Sequence, residues 1–295
     1  MNNVHLDTIL HDTLTTTPSL ILNYDTINRT YNRFLEAFPN GLIYYAVKAN
    51  ANPHILELVA SRGGGLEIAS LAELELALAA GAAGEQIICS YPIKNPVFLR
   101  RMQAAGVYAM GIDSTYEVEK IAEHAPGSRV YVRLAVDNSG AVLPLAGKFG
   151  VDGETALELF EMARAYGLDP IGLSFHVGSQ CLKPQNWANA IQACGDVWRE
   201  AEARGFSFHF LDIGGGYPAG HYHTPSIPTI EEIGAVVTRA VAEFIPAVSN
   251  LMLVLEPGRG LVGESGRLLA TVVGKAKRGD DMWLYLDAGV FNGLM

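Results

Sequence analysis

Leu66-Glu67-Ile68-Ala69-Ser70-Leu71-Ala72-Glu73 sets a short apolar run directly against a Ser-x-x-Glu signature. The run reads as a buried strand. In the signature, the serine caps the free N–H groups of a helix start and the glutamate reaches back to the serine backbone. Strand therefore passes into helix almost without a loop. The same junction recurs at Ser114-Thr115-Tyr116-Glu117, and the capping pattern returns at Thr229-Ile230-Glu231-Glu232. Gly81 and Gly167 stand where helix ends need a residue that tolerates the left-handed conformation.

Outward from this stretch, strand-like runs at 43–47, 66–69, 87–90, 109–113, 130–134, 172–177, 210–213 and 253–256 alternate with helical patterns. Alternation predicts a parallel sheet, and eight repeats favour closure into a (β/α)8 TIM barrel. An open doubly wound sheet is the alternative, but no Gly-x-Gly-x-x-Gly stands between a first strand and its helix. An amphipathic stretch at 25–38 precedes the first run. After Glu256 the character changes: 268–273 and 282–286 are strand runs with turns and no helix between them. The expected organisation is a barrel over 24–256 and a partial β-domain from 1–23 and 257–295, with a strand at 19–23 joining it.

The chain has 295 residues, 49% hydrophobic and 18% charged, which is an ordinary composition for a sizeable core. Its formal charge is −10, which argues against nucleic acid or an anionic membrane as partner and suits a small cationic substrate. No apolar run is long enough to span a bilayer, and Met1-Asn2-Asn3-Val4-His5-Leu6-Asp7 lacks the start of a signal peptide. Cys89, Cys181 and Cys194 have no Cys-x-x-Cys spacing, so free thiols in a reducing cytoplasm are expected.

In a barrel of this kind, functional side chains gather at the C-terminal strand ends. Those ends hold Lys48 with Asn50, Glu67, Ser90, Asp113, Arg133, His176 with Ser179, Gly214-Gly215-Gly216, and Glu256 with Arg259. So many polar residues at one position of a repeat is the strongest signal in the sequence. Lys48 closes the run Tyr44-Tyr45-Ala46-Val47, where burying an ammonium is costly. It is read either as a side chain reaching out to water or as a desolvated amine of lowered pKa, able to form an imine with an aldehyde cofactor. The glycine triplet is either a flexible turn or an anion cradle. Arg259 either reinforces that cradle or pairs with Glu256. His209, His221 and His223 have no carboxylate or cysteine to complete a metal set, so no metal is expected. A lysine, an anion cradle and a carboxylate together describe pyridoxal phosphate, which needs an imine-forming amine, a phosphate site and an acid at its ring nitrogen.

Four motifs then carry a resemblance: Tyr45-Ala46-Val47-Lys48-Ala49-Asn50, Ser174-Phe175-His176-Val177-Gly178-Ser179, Leu211-Asp212-Ile213-Gly214-Gly215-Gly216-Tyr217-Pro218 and Glu256-Pro257-Gly258-Arg259. In this order they resemble the fold-type III pyridoxal-phosphate decarboxylases of ornithine, lysine, arginine and diaminopimelate, whose barrel is alanine racemase-like. The chain is most similar to the short bacterial ornithine/lysine enzymes. Pro144-Leu145-Ala146-Gly147-Lys148-Phe149-Gly150 resembles their mobile loop, and Trp283-Leu284-Tyr285-Leu286-Asp287-Ala288-Gly289 their entry into the C-terminal domain.

The resemblance implies that Lys48 carries the cofactor, His176 stacks on its ring and Glu256 pairs with its ring nitrogen. It implies that Ser179, Gly214, Gly215, Gly216, Gly258 and Arg259 hold the phosphate, with Glu67 and Arg133 supporting the site around the lysine. Glu67 stands where these enzymes usually have aspartate. It further implies a cytoplasmic homodimer that turns L-ornithine or L-lysine into putrescine or cadaverine. The family's Cys-Asp-Gly motif, its phosphate-binding tyrosine and its acids for the distal amine have no counterpart here. The alternatives are a catalytically silent or truncated cofactor-binding relative with a binding or regulatory role, and, behind it, a diaminopimelate decarboxylase or a racemase.

Overall fold

The computed structural model describes residues 16–145, 147–220 and 227–290. His221 and His223, the ends of the expected β-domain at 1–15 and 291–295, and Ala146 lie outside them. In chain order the elements are β1 (Ser19–Leu22), α1 (Tyr24–Ala37), β2 (Gly41–Ala46), α2 (Pro53–Ser61), β3 (Gly65–Glu67), α3 (Leu71–Ala79), β4 (Ile87–Cys89) and α4 (Pro96–Ala105). There follow β5 (Ala109–Ile112), α5 (Thr115–His124), β6 (Arg129–Arg133), β7 (Ala141–Leu143), α6 (Gly153–Ala165), β8 (Asp169–Ser174), β9 (Ser179–Cys181), α7 (Gln185–Ala203) and β10 (Phe210–Asp212). The rest are α8 (Ile230–Phe244), β11 (Met252–Leu255), a one-turn α9 (Arg259–Val262), β12 (Gly266–Leu269), β13 (Val272–Arg278) and β14 (Asp281–Leu286).

Eight of these strands close a parallel barrel in the order β10-β11-β2-β3-β4-β5-β6-β8, as the alternation predicts. Tyr44, Ile88, Ala109, Tyr131, Ile171, Phe210 and Val254 form one buried cluster contributed by seven of its strands. The Tyr131 and Phe210 rings stack with centroids 4.7 Å apart, a contact worth about 0.5–1.5 kcal/mol beyond the area it buries. The barrel is thus a filled core, and its chemistry is confined to the rim.

The helix starts follow their caps. Ser70 Oγ accepts from the Glu73 N–H at 3.2 Å, while the Glu73 carboxylate accepts from the Ala69 N–H at 2.6 Å rather than from the serine backbone; Thr229 with Glu232 forms the complete reciprocal box. Gly81 and Gly167, with φ of +87° and +75°, take the left-handed conformation just beyond α3 and α6. At Ser114 the box is only half made. Ser114 Oγ accepts from the Glu117 N–H, but the Glu117 carboxylate is drawn to Lys94 and Lys120 instead of returning to the cap. An antiparallel pair outside the barrel, β7 with β9, is not legible as strands from sequence and sets Ser179 opposite Leu143.

The chain divides into two compact units, Asn28–Glu264 and the residues through Ile27 together with those from Ser265 onward. The second unit holds two small antiparallel sheets, β1 with β12 and β13 with β14. There Asp287 accepts from the Thr271 N–H at 2.8 Å and from the Thr17 hydroxyl. No helix among the described residues is long and apolar enough to cross a membrane.

Candidate active site

Lys48 lies in a single 3₁₀ turn, Val47–Ala49, that continues β2 at its C-terminal end. Parallel pairing sets Ala46 beside Glu67 of β3, so the lysine reaches the neighbouring carboxylate within one turn of chain. Its ammonium donates to Glu67 Oε2; the lysine side chain is 53% exposed and the glutamate 2%. The added methylene of Glu67, compared with aspartate, is therefore accommodated with the ion pair made. Desolvation opposes the charge on Lys48, but the carboxylates of Glu67 and Glu256 outweigh it, and the pKa is raised. This corrects the expectation of a lowered pKa: both acids were placed on the same rim from sequence, but not how strongly they hold the proton on the amine.

His176 follows β8, and its Nδ1 accepts from the Gly178 N–H at 2.9 Å. Burial, then the charges of Arg133 and Lys48, push its pKa down to about 3. The ring is therefore neutral at physiological pH. Arg133, at the end of β6, lies with its guanidinium carbon 5.4 Å from the centroid of the Phe149 ring. Phe149, in the loop at 144–150, also meets Tyr91 edge-on at 5.8 Å.

The glycine triplet follows β10. Gly214 donates its N–H to Asp212 Oδ1 at 2.8 Å, so that donor is turned inward. Among the described residues, no hydrogen bond engages the N–H of Gly215 or of Gly216. A Cβ on Gly215 would lie 2.8 Å from the Glu256 carbonyl oxygen and 3.3 Å from His176 Nε2. The bare backbone therefore borders both His176 and the β11 end. The Gly216 carbonyl accepts from the Cys181 N–H of β9 at 2.8 Å, which brings the Ser179 segment alongside.

Glu256, just past β11, is buried and accepts from Ser90 Oγ. Ser90 Oγ is also 2.7 Å from Tyr131 Oη and 3.2 Å from Asp212 Oδ2. The Glu256 carboxyl is shifted upward, first by burial and then by the charge of Glu67, with Lys48 opposing. Gly258 abuts the lysine turn: a Cβ there would stand 3.1 Å from Ala49 Cβ and 3.2 Å from Ala46 Cβ. Arg259 opens α9 and is exposed. His209, set aside as a metal ligand, lies 3.2 Å through Nε2 from Tyr108 Oη.

The structure thus gathers Lys48, Glu67, His176, Arg133, Gly215, Gly216 and Glu256 at one barrel mouth. Three residues given no role from sequence join them. Ser90 and Asp212 lie beside Glu256, and Tyr131 lies beneath; the position of Asp212 immediately before the triplet was the available signal for it.

A closed eight-stranded parallel barrel, with a lysine between acids and a bare glycine turn at its mouth, defines the class of protein. The family described as pyridoxal-dependent decarboxylase, pyridoxal binding domain, matches residues 24–263, and the chain belongs to it. It is 33% identical over 283 residues to the lysine/ornithine decarboxylase of Selenomonas ruminantium, covering 95% of this chain and 71% of that protein. It is 34% identical over 249 residues to the ornithine decarboxylase of Mus musculus, covering 84% of this chain and 53% of that one. Its fold is similar, with a TM-score of 0.88 at 30% identity, to the lysine/ornithine decarboxylase of Vibrio vulnificus solved with putrescine. That match covers 99% of this chain and 77% of the other. The chain therefore spans between about half and three-quarters of the length of these relatives.

Proposed function

We propose that this chain binds pyridoxal phosphate through Lys48 and decarboxylates a basic amino acid, L-ornithine or L-lysine. The observation that carries the reading is the convergence of Lys48, Glu256 and the bare N–H groups of Gly215 and Gly216 on one rim. The residues fit the cofactor. Any side chain at Gly215 would fill the space beside His176, and the two N–H groups suit a phosphate. Glu256, held by Ser90, suits a protonated ring nitrogen. When bound, pyridoxal phosphate supplies an electron sink for the pair left at Cα as carbon dioxide departs.

The protein's own groups have separate tasks. Lys48 would supply the amine that holds the cofactor; Glu67, hydrogen-bonded to its ammonium, is placed to take a proton from Lys48 Nζ and to return it. Glu256 would supply the negative charge that a cofactor ring nitrogen needs to stay protonated, a preorganised term of the kind that dominates many rate enhancements. His176, neutral and fixed by Gly178, would pack against the cofactor ring without adding charge. Ser179, Gly258 and Arg259 complete the phosphate site in this reading, and Arg133 flanks His176. The net charge of −10 favours approach of a cationic substrate. A cytoplasmic homodimer is part of the same proposal, and sedimentation of the loaded protein measures its assembly.

Borohydride reduction after loading with pyridoxal phosphate, followed by peptide mapping, tests the attachment. The expected result is one labelled peptide containing Lys48 and none in Lys48→Ala. Label elsewhere overturns the assignment. Carbon dioxide release from ornithine and lysine then separates catalysis from binding alone, because label without release supports a silent cofactor-binding protein.

A further inference from the structure

Behind Glu256 lies a second acid that the proposed chemistry does not use. Asp212 is 1% exposed and Glu256 6%. Parallel pairing of β10 with β11 sets Asp212 beside Val254, so Glu256, two residues on, follows on the same strand side. Ser90 Oγ is within bonding distance of Glu256 Oε1 and of Asp212 Oδ2, and of Tyr131 Oη. A serine carries one hydrogen, which serves one carboxylate at a time. Two ionised carboxylates around that hydroxyl would set two like charges side by side in a dry site, with one serine hydrogen and the Gly214 N–H to serve both, an arrangement that costs several kcal/mol. The cluster needs one more proton.

We infer that Asp212 is a protonated carboxylic acid whose hydrogen bond is donated towards Glu256 and Ser90, so that the pair carries one negative charge and Glu256 presents it at the barrel mouth. The charges around the two acids decide which one holds the proton. Glu256 feels the ammonium of Lys48. Asp212 feels burial first, then the negative charges of Glu256 and Glu67, and its acid is held well above the usual range. The other titratable groups whose charges reach Asp212 are Tyr44, Tyr131, Tyr217 and Cys194, each raised first by its own burial and neutral at pH 7. Asp212 Oδ1 is fixed by the Gly214 N–H, so the proton sits on Oδ2. Asp212 is thus a positioning residue. It holds the Glu256 carboxylate in one direction and lets it stay ionised in a dry site. The consequence for the cofactor ring rests on the function proposed above; the protonation itself does not.

Asparagine is isosteric with a protonated aspartate: its oxygen accepts from Gly214 and its amide donates where the acid proton did. Isotope-edited infrared spectroscopy of the chain without cofactor, at pH 7, reads the carbonyl stretch of a protonated carboxylic acid, expected in the parent and lost in Asp212→Asn. Titration with pyridoxal phosphate follows the consequence. Asp212→Asn keeps its affinity within about threefold, whereas Asp212→Ala, having lost a donor to a buried charge, weakens it by about tenfold to a hundredfold. Absence of the acid band, or Asn binding as poorly as Ala, overturns the inference. The infrared measurement on the parent stands even where Asp212→Ala does not fold. A parent that shows the band but binds no pyridoxal phosphate removes the functional proposal and leaves the protonation in place.

Discussion

Lys94 and Glu117 form an ion pair sealed from water, Nζ to Oε1 at 3.0 Å, with side-chain exposures of 0% and 2%. The remaining ammonium hydrogens go to the carbonyls of Tyr91 and Gly111, at 2.9 and 2.7 Å. Glu117 also accepts from the Lys94 N–H at 3.1 Å and from Lys120 Nζ at 2.6 Å. This junction ties the loop after β4 to the end of β5 and the first turn of α5.

Lys94→Met leaves the buried Glu117 carboxylate with Lys120 as its remaining ionic partner. It is expected to cost about 3 kcal/mol, and Lys94→Met with Glu117→Leu less than that single change, because no buried carboxylate is then left half-paired. Urea unfolding midpoints measure both. A cost below about 1 kcal/mol for Lys94→Met would show that the pair is not dry in solution.

His176 should make stability depend on acidity. Its folded pKa is about 3, below the value near 6.5 of an unfolded histidine, so the unfolded chain binds the proton more readily. The contribution is complete above pH 6.5 and fades as the pH falls towards 3. Between pH 7 and pH 5 the parent should lose about 2 kcal/mol more than His176→Gln. The ring proton resonances of His176 should also stay constant across that interval. A titration midpoint near 6 would refute the neutral ring.

Gly216→Ala adds a crowding cost to a conformational one. At φ of +97° any side chain is strained, and the new Cβ would lie 2.5 Å from the Gly178 carbonyl oxygen. Gly81, at φ of +87°, has open space where a Cβ would go. Gly81→Ala should therefore cost about 1 kcal/mol and Gly216→Ala about 2–4 kcal/mol, read from thermal unfolding. Only the second should weaken binding of pyridoxal phosphate. Equal effects from the two would mean that the triplet is an ordinary turn.

The barrel was legible because each strand end, cap and helix stop is written in contiguous residues: 66–73 states the junction by itself. The rim was legible for the same reason, since Lys48, Glu67, His176 and Glu256 occupy one position of a repeat. What escaped reading depends on register between strands. Nothing local says that Glu117 leaves its own helix cap for Lys94, twenty-three residues earlier. Nothing local says that Asp212 and Glu256 share a hydroxyl from Ser90, or that two acids hold the Lys48 amine charged. The β7–β9 pair escaped because strands of three residues, set between turns, are too short to show a period.

The three cysteines lie wholly inside the larger unit, and burial suppresses ionisation of each; the Cys89 thiol is pushed up to about 12. Since the thiolate is the reactive form, alkylating reagents meet inert sulfur while the barrel is closed. Modification must wait for the chain to breathe. The rate at which each sulfur is captured is then a clock on local opening: Cys89 times the loosening of β4, Cys194 that of α7, and Cys181 that of the short β7–β9 ribbon beside the mouth.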